Sequence, residues 1–281
     1  MPTTSDSDSG RLVLVATPIG NLDDLSPRAA QTMAQADLVA CEDTRRTGRL
    51  LAHIGATVPL MAVHDHNEGD RAEQICERVA AGQVVALVSD AGTPAISDPG
   101  YEVVRAAVDR GLLVEAVPGP AAVIHALVIS GLPTDRFAFE GFLPRKAGPR
   151  RQRLAAVASD DRTLVFYVAP HRAADDLQAM AQAFGAHRPA VLTRELTKLF
   201  EEATRGTLGT LATQAAEDPP RGEVTVVVGG APPEAAADIG DEAVRARVEE
   251  LVREGLSRRD AVRQVADETG LPKRHVYAVA T

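Results

Sequence analysis

The stretch VVALVSDAGTPAISDPG (Val84–Gly100) sets an uninterrupted apolar run against a loop of turn-formers and hydroxyls. A short apolar run that ends in a glycine-containing loop and is followed by a helical pattern, here EVVRAAVDR up to Gly111, is the signature of a strand buried on both faces. The same grammar recurs along the chain. RLVLVAT (Arg11–Thr17) leads into PIGNLDDLS and a helix opened by Ser26 and Pro27. Asp37–Cys41 is a short second strand, and Arg46–Ile54 a helix ended by Gly55. Val114–Val117 runs into PGPAAVIHALVISG, whose apolar spacing reads as a buried helix. Strands alternating with helices in this way predict an α/β domain built on a mainly parallel sheet, over residues 11–131.

A break follows at Leu132–Arg153, rich in Gly, Pro and charge, and then the grammar resumes. Thr163–Val168 is a strand, Ala169–His171 a loop, and a helix continues to Gly185. Ala190–Thr193, Glu202–Gly206 and Val224–Val228 read as further strands around a helix starting near Thr210. Residues 132–233 therefore form a second α/β domain carrying a basic loop. From 234 to 281 the chain reads as helical, with helices at Glu242–Glu254, Ser257–Thr269 and Lys273–Ala280. A short helix, a Gly-containing turn and a helix with a basic start are similar to a helix-turn-helix. A small helical bundle packed on the body is the reading the residues favour.

The chain has 281 residues, 45% hydrophobic and 25% charged, which suits a soluble globular protein with two or more cores. No apolar run approaches membrane-spanning length, and MPTTSDSDSG (residues 1–10) reads as a polar, disordered tail. Two cysteines without metal-ligand spacing, Cys41 and Cys76, point to the reducing cytoplasm. A net charge of −9 argues against a basic coat but not against a local basic patch. With three Tyr, six Phe and no Trp, a stacking platform for single strands is poorly supplied.

The loop after Val88 separates into two halves. Ser97-Asp98-Pro99 reads as capping of the following helix, with Pro99 in its first turn. Asp90, Gly92 and Thr93 remain, at the carboxyl end of a strand, where α/β sheets bind ligands. The loop holds no lysine or arginine, so it suits a neutral or cationic nucleoside better than a phosphate; a second capping Asp is the structural alternative. Thr17–Asn21 and Pro118–Ala122 repeat this cation-free chemistry. Neither a P-loop, a GxGxxG nor a GxSxG occurs, so P-loop, Rossmann and acyl-transfer chemistry are unsupported. His64-Asp65-His66 would share a face on a strand, but without a second ligand cluster no metal site is expected. Arg145, Lys146, Arg150, Arg151 and Arg153 crowd a segment without acids, well placed to hold a polyanion; Lys273 and Arg274 add a second basic point.

ATPIGNLDDLSPRA, ACEDTRRTGRLL, HDHNE, VSDAGTPAISDPG, PGPAAVIHAL, SGLPTDRFAFEGFLPRK, APHR, RELTK and GEVTVVV occur here in order. Together they closely resemble the bacterial 16S ribosomal RNA cytidine 2′-O-methyltransferases of the small subunit, within the tetrapyrrole-methylase-like class. Asp65 departs from the Glu more common there. The resemblance implies two α/β domains with S-adenosylmethionine in the cleft between them, in a cytoplasmic homodimer. It implies methyl transfer to a ribose 2′-hydroxyl of 16S rRNA near the decoding centre. Matched by motif, Pro18, Ile19, Ser89, Asp90, Gly92, Thr93, Ile96, Ala121, Ala122 and Val168 would hold the cofactor. Glu195, Lys198 and His171, polar residues of RELTK and APHR at strand ends, are the candidate catalytic bases; binding RNA or holding the two domains together is the alternative for each. Arg145, Lys146, Arg150 and Arg151, with Lys273 and Arg274, would grip the RNA. The alternatives are a small-molecule tetrapyrrole methylase, needing neither basic segment nor helical tail, and a non-catalytic RNA-binding factor.

Overall fold

The computed structural model describes residues 10–64, 66–232, 241–269 and 271–280. Residues 1–9 of the expected tail, Asp65, residues 233–240, Gly270 and Thr281 lie outside them. The described chain divides into two compact units: one up to Val157 with Thr163–Gly229, the other Ala158–Arg162 with the segment from Gly230 onward.

The first unit opens with β1 (Arg11–Val15), α1 (Pro27–Gln35), β2 (Leu38–Cys41), α2 (Thr44–His53) and β3 (Leu60–Ala62). It continues through α3 (Glu68–Ala80), β4 (Val84–Val88), α4 (Tyr101–Asp109), β5 (Leu113–Val117) and α5 (Ala122–Ser130). The sheet runs β3-β2-β4-β1-β5 and every pairing in it is parallel. Apolar side chains cover both faces, Leu12, Ile75, Leu87 and Val103 on one and Val15, Met33, Val39 and Val88 on the other. The chain leaves β1 over β4 to reach β2, and leaves β4 over β1 to reach β5. The neighbours β1 and β4 therefore flank a topological switch point, which opens a crevice at their carboxyl ends.

The second half adds β6 (Phe137–Phe142), α6 (Ala147–Ala156), β7 (Thr163–Val168), α7 (Ala173–Phe184), β8 (Pro189–Arg194), β9 (Glu202–Thr207), α8 (Leu208–Glu217) and β10 (Val224–Val228). Its sheet order is β6-β7-β10-β8-β9, with β6–β7 parallel and the remaining pairings antiparallel. The Gly/Pro-rich segment expected to be a break contains both β6 and most of α6. Pro133 and Pro144 fall in the turns around these elements, Gly148 and Pro149 sit in the first turn of α6 where the helix tolerates them, and Gly141 within β6 marks a bulge.

The capping read for Ser97-Asp98-Pro99 is corrected. Helix α4 begins at Tyr101, with Gly100 as its N-cap, so Pro99 lies outside its first turn. The carboxylate on that turn belongs to Glu68, 32 residues earlier: its Oε1 accepts from the N–H groups of Gly100 and Glu102, each at 2.8 Å.

The second unit carries α9 (Asp241–Arg253), α10 (Arg258–Thr269) and α11 (Lys273–Ala280). Val244, Val248, Leu251, Val262, Val265 and Val276 close a small core among them. Arg258 Nη1 donates to the Ala280 carbonyl at 2.7 Å and ties α10 to the end of α11.

Candidate active site

The loops after β1, β4 and β5 are stitched together by their own polar groups. Thr17 and Gly92 exchange backbone hydrogen bonds of 2.9 and 3.1 Å. The Ser89 hydroxyl donates to the Gly92 carbonyl (3.0 Å), and the Thr93 hydroxyl to the Pro120 carbonyl (3.0 Å). These hydroxyls fix the loops in place. Gly92 adopts φ 88°, and a Cβ there would stand 3.2 Å from Ile19 Cγ2, so the turn demands glycine.

The stitched loops form one wall of a cavity of about 570 Å³, within the range of small-molecule sites. Ile19, Asp90, Gly92, Thr93, Ile96, Ala121, Ala122 and Val168 line it; Pro18 and the buried Ser89 are not among its lining residues. The opposite wall comes from β7, through Tyr167 and Val168, and from β10 with the residue before it, through Thr225 and Glu223. Asp98, read as a cap, lines the cavity too.

One expectation changes here. The loop holding Asp90 is cation-free, but α2 brings Arg46 to it: Arg46 Nη1 lies 3.4 Å from Asp90 Oδ2, while Asp90 Oδ1 accepts from the Asp43 N–H at 3.0 Å. The two partners leave part of the carboxylate's accepting capacity open to the cavity. Four carboxylates (Glu42, Asp90, Asp98, Glu223) and one guanidinium (Arg46) line the space. That excess of negative charge suits a cationic ligand and disfavours a polyphosphate.

The three base candidates do not form one group. His171 is exposed, in the 3₁₀ turn Pro170–Arg172 beside the lining residues Ala169 and Pro170. Glu195 and Lys198 are joined: Lys198 Nζ donates to Glu195 Oε1 (2.8 Å) and to Glu223 Oε2 (3.0 Å). Glu195 Oε1 also accepts from the Glu223 N–H at 3.0 Å. The Lys198 hydrogen bond, helped by the Glu223 amide, holds Glu195 below the ordinary glutamate range. Burial works against the Lys198 ammonium, but hydrogen bonds to Glu195 and Glu223 outweigh it and raise its pKa. Glu195 and Glu201 bracket a tight loop, with Glu195 and Thr197 at φ 51° and 66°.

The basic segment is also sorted. Arg150 does not face solvent: its Nη1 lies 2.9 Å from Asp176 Oδ1, where Arg172 Nη2 also lies at 2.9 Å, and the Asp176 side chain is 2% exposed. Arg150 is an internal anchor, because its place on α6 faces α7. Arg145, Lys146 and Arg151 are exposed. Arg153 pairs with Glu140 at 2.7 Å. His64 and His66 follow β3 rather than lying on it, with ring centroids 6.3 Å apart. Sequence reasoning missed Glu42, Arg46, Phe142, Tyr167 and Glu223 as lining residues. ACEDTRR held a signal for the first two, since it follows an apolar strand as the other loops do.

Two sheets joined across a cleft, with the ligand loops at a switch point and an anionic cavity, define a methylase-type α/β fold. Residues 11–212 match the family Tetrapyrrole (Corrin/Porphyrin) Methylases, and residues 238–281 match the RsmI C-terminal HTH domain. A uroporphyrin-III C-methyltransferase from Thermus thermophilus, solved with S-adenosyl homocysteine, superposes with a TM-score of 0.55 at 20% identity, over 79% of this chain and 97% of that one. Ribosomal RNA small subunit methyltransferase I from Xylella fastidiosa (strain Temecula1) is 50% identical over 96% of this chain and 99% of its own. That from Synechocystis is 46% identical over 96% and 97%. The chain belongs to the ribosomal RNA small subunit methyltransferase I family and is a methyltransferase. The helical tail, read from its residues as a bundle, matches a helix-turn-helix domain instead; its short, ordinary helices carry no residue pattern that separates the two readings.

Proposed function

We propose that the protein transfers a methyl group from S-adenosylmethionine to a cytidine ribose 2′-hydroxyl of 16S rRNA, near the decoding centre. The observation that carries the reading is the cavity's charge: among the lining residues carboxylates outnumber cations four to one. The residues fit S-adenosylmethionine, whose ammonium and sulfonium are cationic. Asp90 would hold polar groups of its ribose or amino acid part, with Ile19, Ile96, Ala121 and Ala122 packing on its apolar surface. When bound, the cofactor supplies an electrophilic methyl group.

The chain's own residues then have two tasks, to hold the acceptor hydroxyl in line and to accept its hydrogen bond. Lys198 is held as an ammonium and Glu195 is an anion committed to Lys198 and to the Glu223 amide. Both act as positioning residues for Glu223, the member of this set that lines the cavity. Glu223 is our assignment for the carboxylate that accepts the hydroxyl's hydrogen bond.

RNA is gripped by Arg145, Lys146 and Arg151, and by Lys273 and Arg274 of the tail. The last two are exposed at the start of α11, where positive charge opposes the helix dipole. A charge kept against that preference is explained by an anionic partner. The protein works as a homodimer: α5 is apolar nearly all round, yet Ile124 and Val128 are 45% and 61% exposed. Among the described residues no helix is long and apolar enough to cross a membrane. Cys41 and Cys76 are free and buried, which supports a reducing, cytoplasmic setting. Labelled S-adenosylmethionine incubated with small subunits lacking the modification, or with naked 16S RNA, tests the reading. Label on the ribose of one cytidine is expected; no label on either substrate overturns it.

A further inference from the structure

The chain's few aromatic side chains are not scattered. Phe139, Tyr167 and Phe142 form a contiguous group on β6 and β7: the Phe139 and Tyr167 centroids are 4.8 Å apart, and those of Phe142 and Tyr167 5.5 Å. In a regular strand, residues three apart face opposite sides of the sheet. Here the β6–β7 register steps from Phe139 to Gly141 against Val165 and Phe166, leaving Glu140 as the extra residue of a bulge. Gly141 takes φ 64°, and Glu140 is held by Arg153. The bulge thus turns Phe139 and Phe142 toward the same Tyr167 ring, and bulges that re-aim a side chain recur beside active sites.

The three rings differ in exposure. Phe139 packs into the core of its sheet with Val165 and Leu127, while Tyr167 is half-buried and lines the cavity. Phe142 is 57% exposed and still lines the cavity, so it presents a ring at the rim, braced from behind by Tyr167. Three residues on, the chain reaches the exposed Arg145 and Lys146, whose approach is fixed by Arg172 donating to the carbonyls of Leu143 and Pro144. An open aromatic face braced by a second ring, beside a pair of cations, is how proteins hold an unstacked base and its phosphate.

We propose that Phe142 is the base-stacking residue of the acceptor site, holding the nucleobase of the target nucleotide or its immediate neighbour, while Arg145 and Lys146 take the adjoining phosphates. This rests on RNA being the substrate. It assigns a substrate-positioning function to Phe142, with the bulge at Glu140–Gly141 as the device that aims it. The low aromatic content of the chain is then no obstacle, because one braced ring is enough to hold one base.

The test uses the full-length protein, small subunits lacking the modification and labelled S-adenosylmethionine. Replacing Phe142 by Ala is expected to raise KM for subunits, or lower kcat/KM for them, by about tenfold or more, as loss of one stacked base does. Calorimetric affinity for S-adenosylmethionine without RNA is expected to stay within about twofold of wild type. Phe142→Tyr and Phe142→Trp should restore most of the loss, whereas Phe142→Leu, apolar but without a π-face, should not. A parallel loss of cofactor affinity in Phe142→Ala would overturn the proposal by assigning the ring to the cofactor's adenine. Full activity of Phe142→Leu would overturn it by reducing the ring's role to apolar packing. If the wild-type protein itself labels no RNA, the proposed substrate is wrong and this inference goes with it.

Discussion

Arg46 Nη1 stands 3.4 Å from Asp90 Oδ2, joining the start of α2 to the loop after β4 at the edge of the cavity. The pair gives two opposite predictions. Asp90→Ala removes a carboxylate that meets a cationic ligand, and a charged hydrogen bond contributes about 1.5–3 kcal/mol. Affinity for S-adenosylmethionine should fall by about tenfold or more, with the melting temperature little changed. Arg46→Ala removes the competing cation, so that affinity should hold or rise. Calorimetric titration of both variants checks this, and equal losses in the two would be the wrong outcome for an anionic site.

Glu68 offers a prediction about folding. Its Oε1 serves two N–H groups at the start of α4, Gly100 and Glu102, and the side chain is largely buried. Gly100, the N-cap itself, has no side chain to do this job. Glu68→Ala should cost about 1–3 kcal/mol, as loss of a helix cap and of a buried acceptor does. Glu68→Gln keeps an acceptor oxygen and should cost less. Denaturant midpoints measured on both variants decide the order. Because α4 follows the Asp90 loop, the Ala variant should also weaken cofactor binding.

The Glu195–Lys198–Glu223 group sets a pH dependence at both ends of the scale. Glu195 titrates below its ordinary value in the folded state, so its contribution is present above the unfolded value and is lost as pH falls through the folded one. Lys198 titrates above its ordinary value, so its contribution is complete below the unfolded value and is lost as pH rises through the folded one. Wild-type stability minus that of Lys198→Met should be flat through the neutral range and shrink in acid and in strong alkali. Thermal melts of the pair across pH measure it. A difference that grows into alkali would contradict the pairing.

How far the sequence was legible depended on whether a residue's partner lay close by along the chain. The parallel sheet could be read because its central strands β1, β2 and β4 are apolar on both faces and end in their own turn residues. Eight of the ten residues matched through the family resemblance line the cavity; the residues alone gave the three cation-free loops at strand ends that hold most of them. Glu68 was invisible as a cap because its partners lie beyond a whole helix and strand. Arg46 was hidden for the same reason, since its partner Asp90 belongs to another loop. Helix α3 and strand β3 were passed over, the first for its charged surface and the second for having only three residues. The second sheet is mostly antiparallel, which periodicity alone does not distinguish, because strands buried on both faces read alike in either direction. In FAFEGF the glycine inside an apolar run did carry the signal of the bulge.

The basic segment gives the sharpest division between charge that binds and charge that builds. Arg150 and Arg172 share one oxygen of Asp176, and both arginine side chains are 16% exposed. Asp176→Ala leaves two largely buried guanidiniums without their counter-ion, a loss that typically costs about 3–5 kcal/mol, whereas Arg150→Ala leaves Asp176 paired with Arg172 and should cost less. Arg150→Ala and Asp176→Ala should therefore lower the melting temperature, since the packing of α6 on α7 depends on that oxygen. Arg145→Ala, Lys146→Ala and Arg151→Ala take away exposed cations and should leave the melting temperature nearly unchanged. Each of these three should instead weaken RNA binding, and every phosphate that loses its cation should reduce the slope of log affinity against log salt by about one unit. Filter binding of 16S RNA at several salt concentrations, set beside thermal melts of the same five variants, reads both effects. If Arg150→Ala lowered RNA affinity and the salt slope while melting like wild type, the division between an inward anchor and an outward grip would fail.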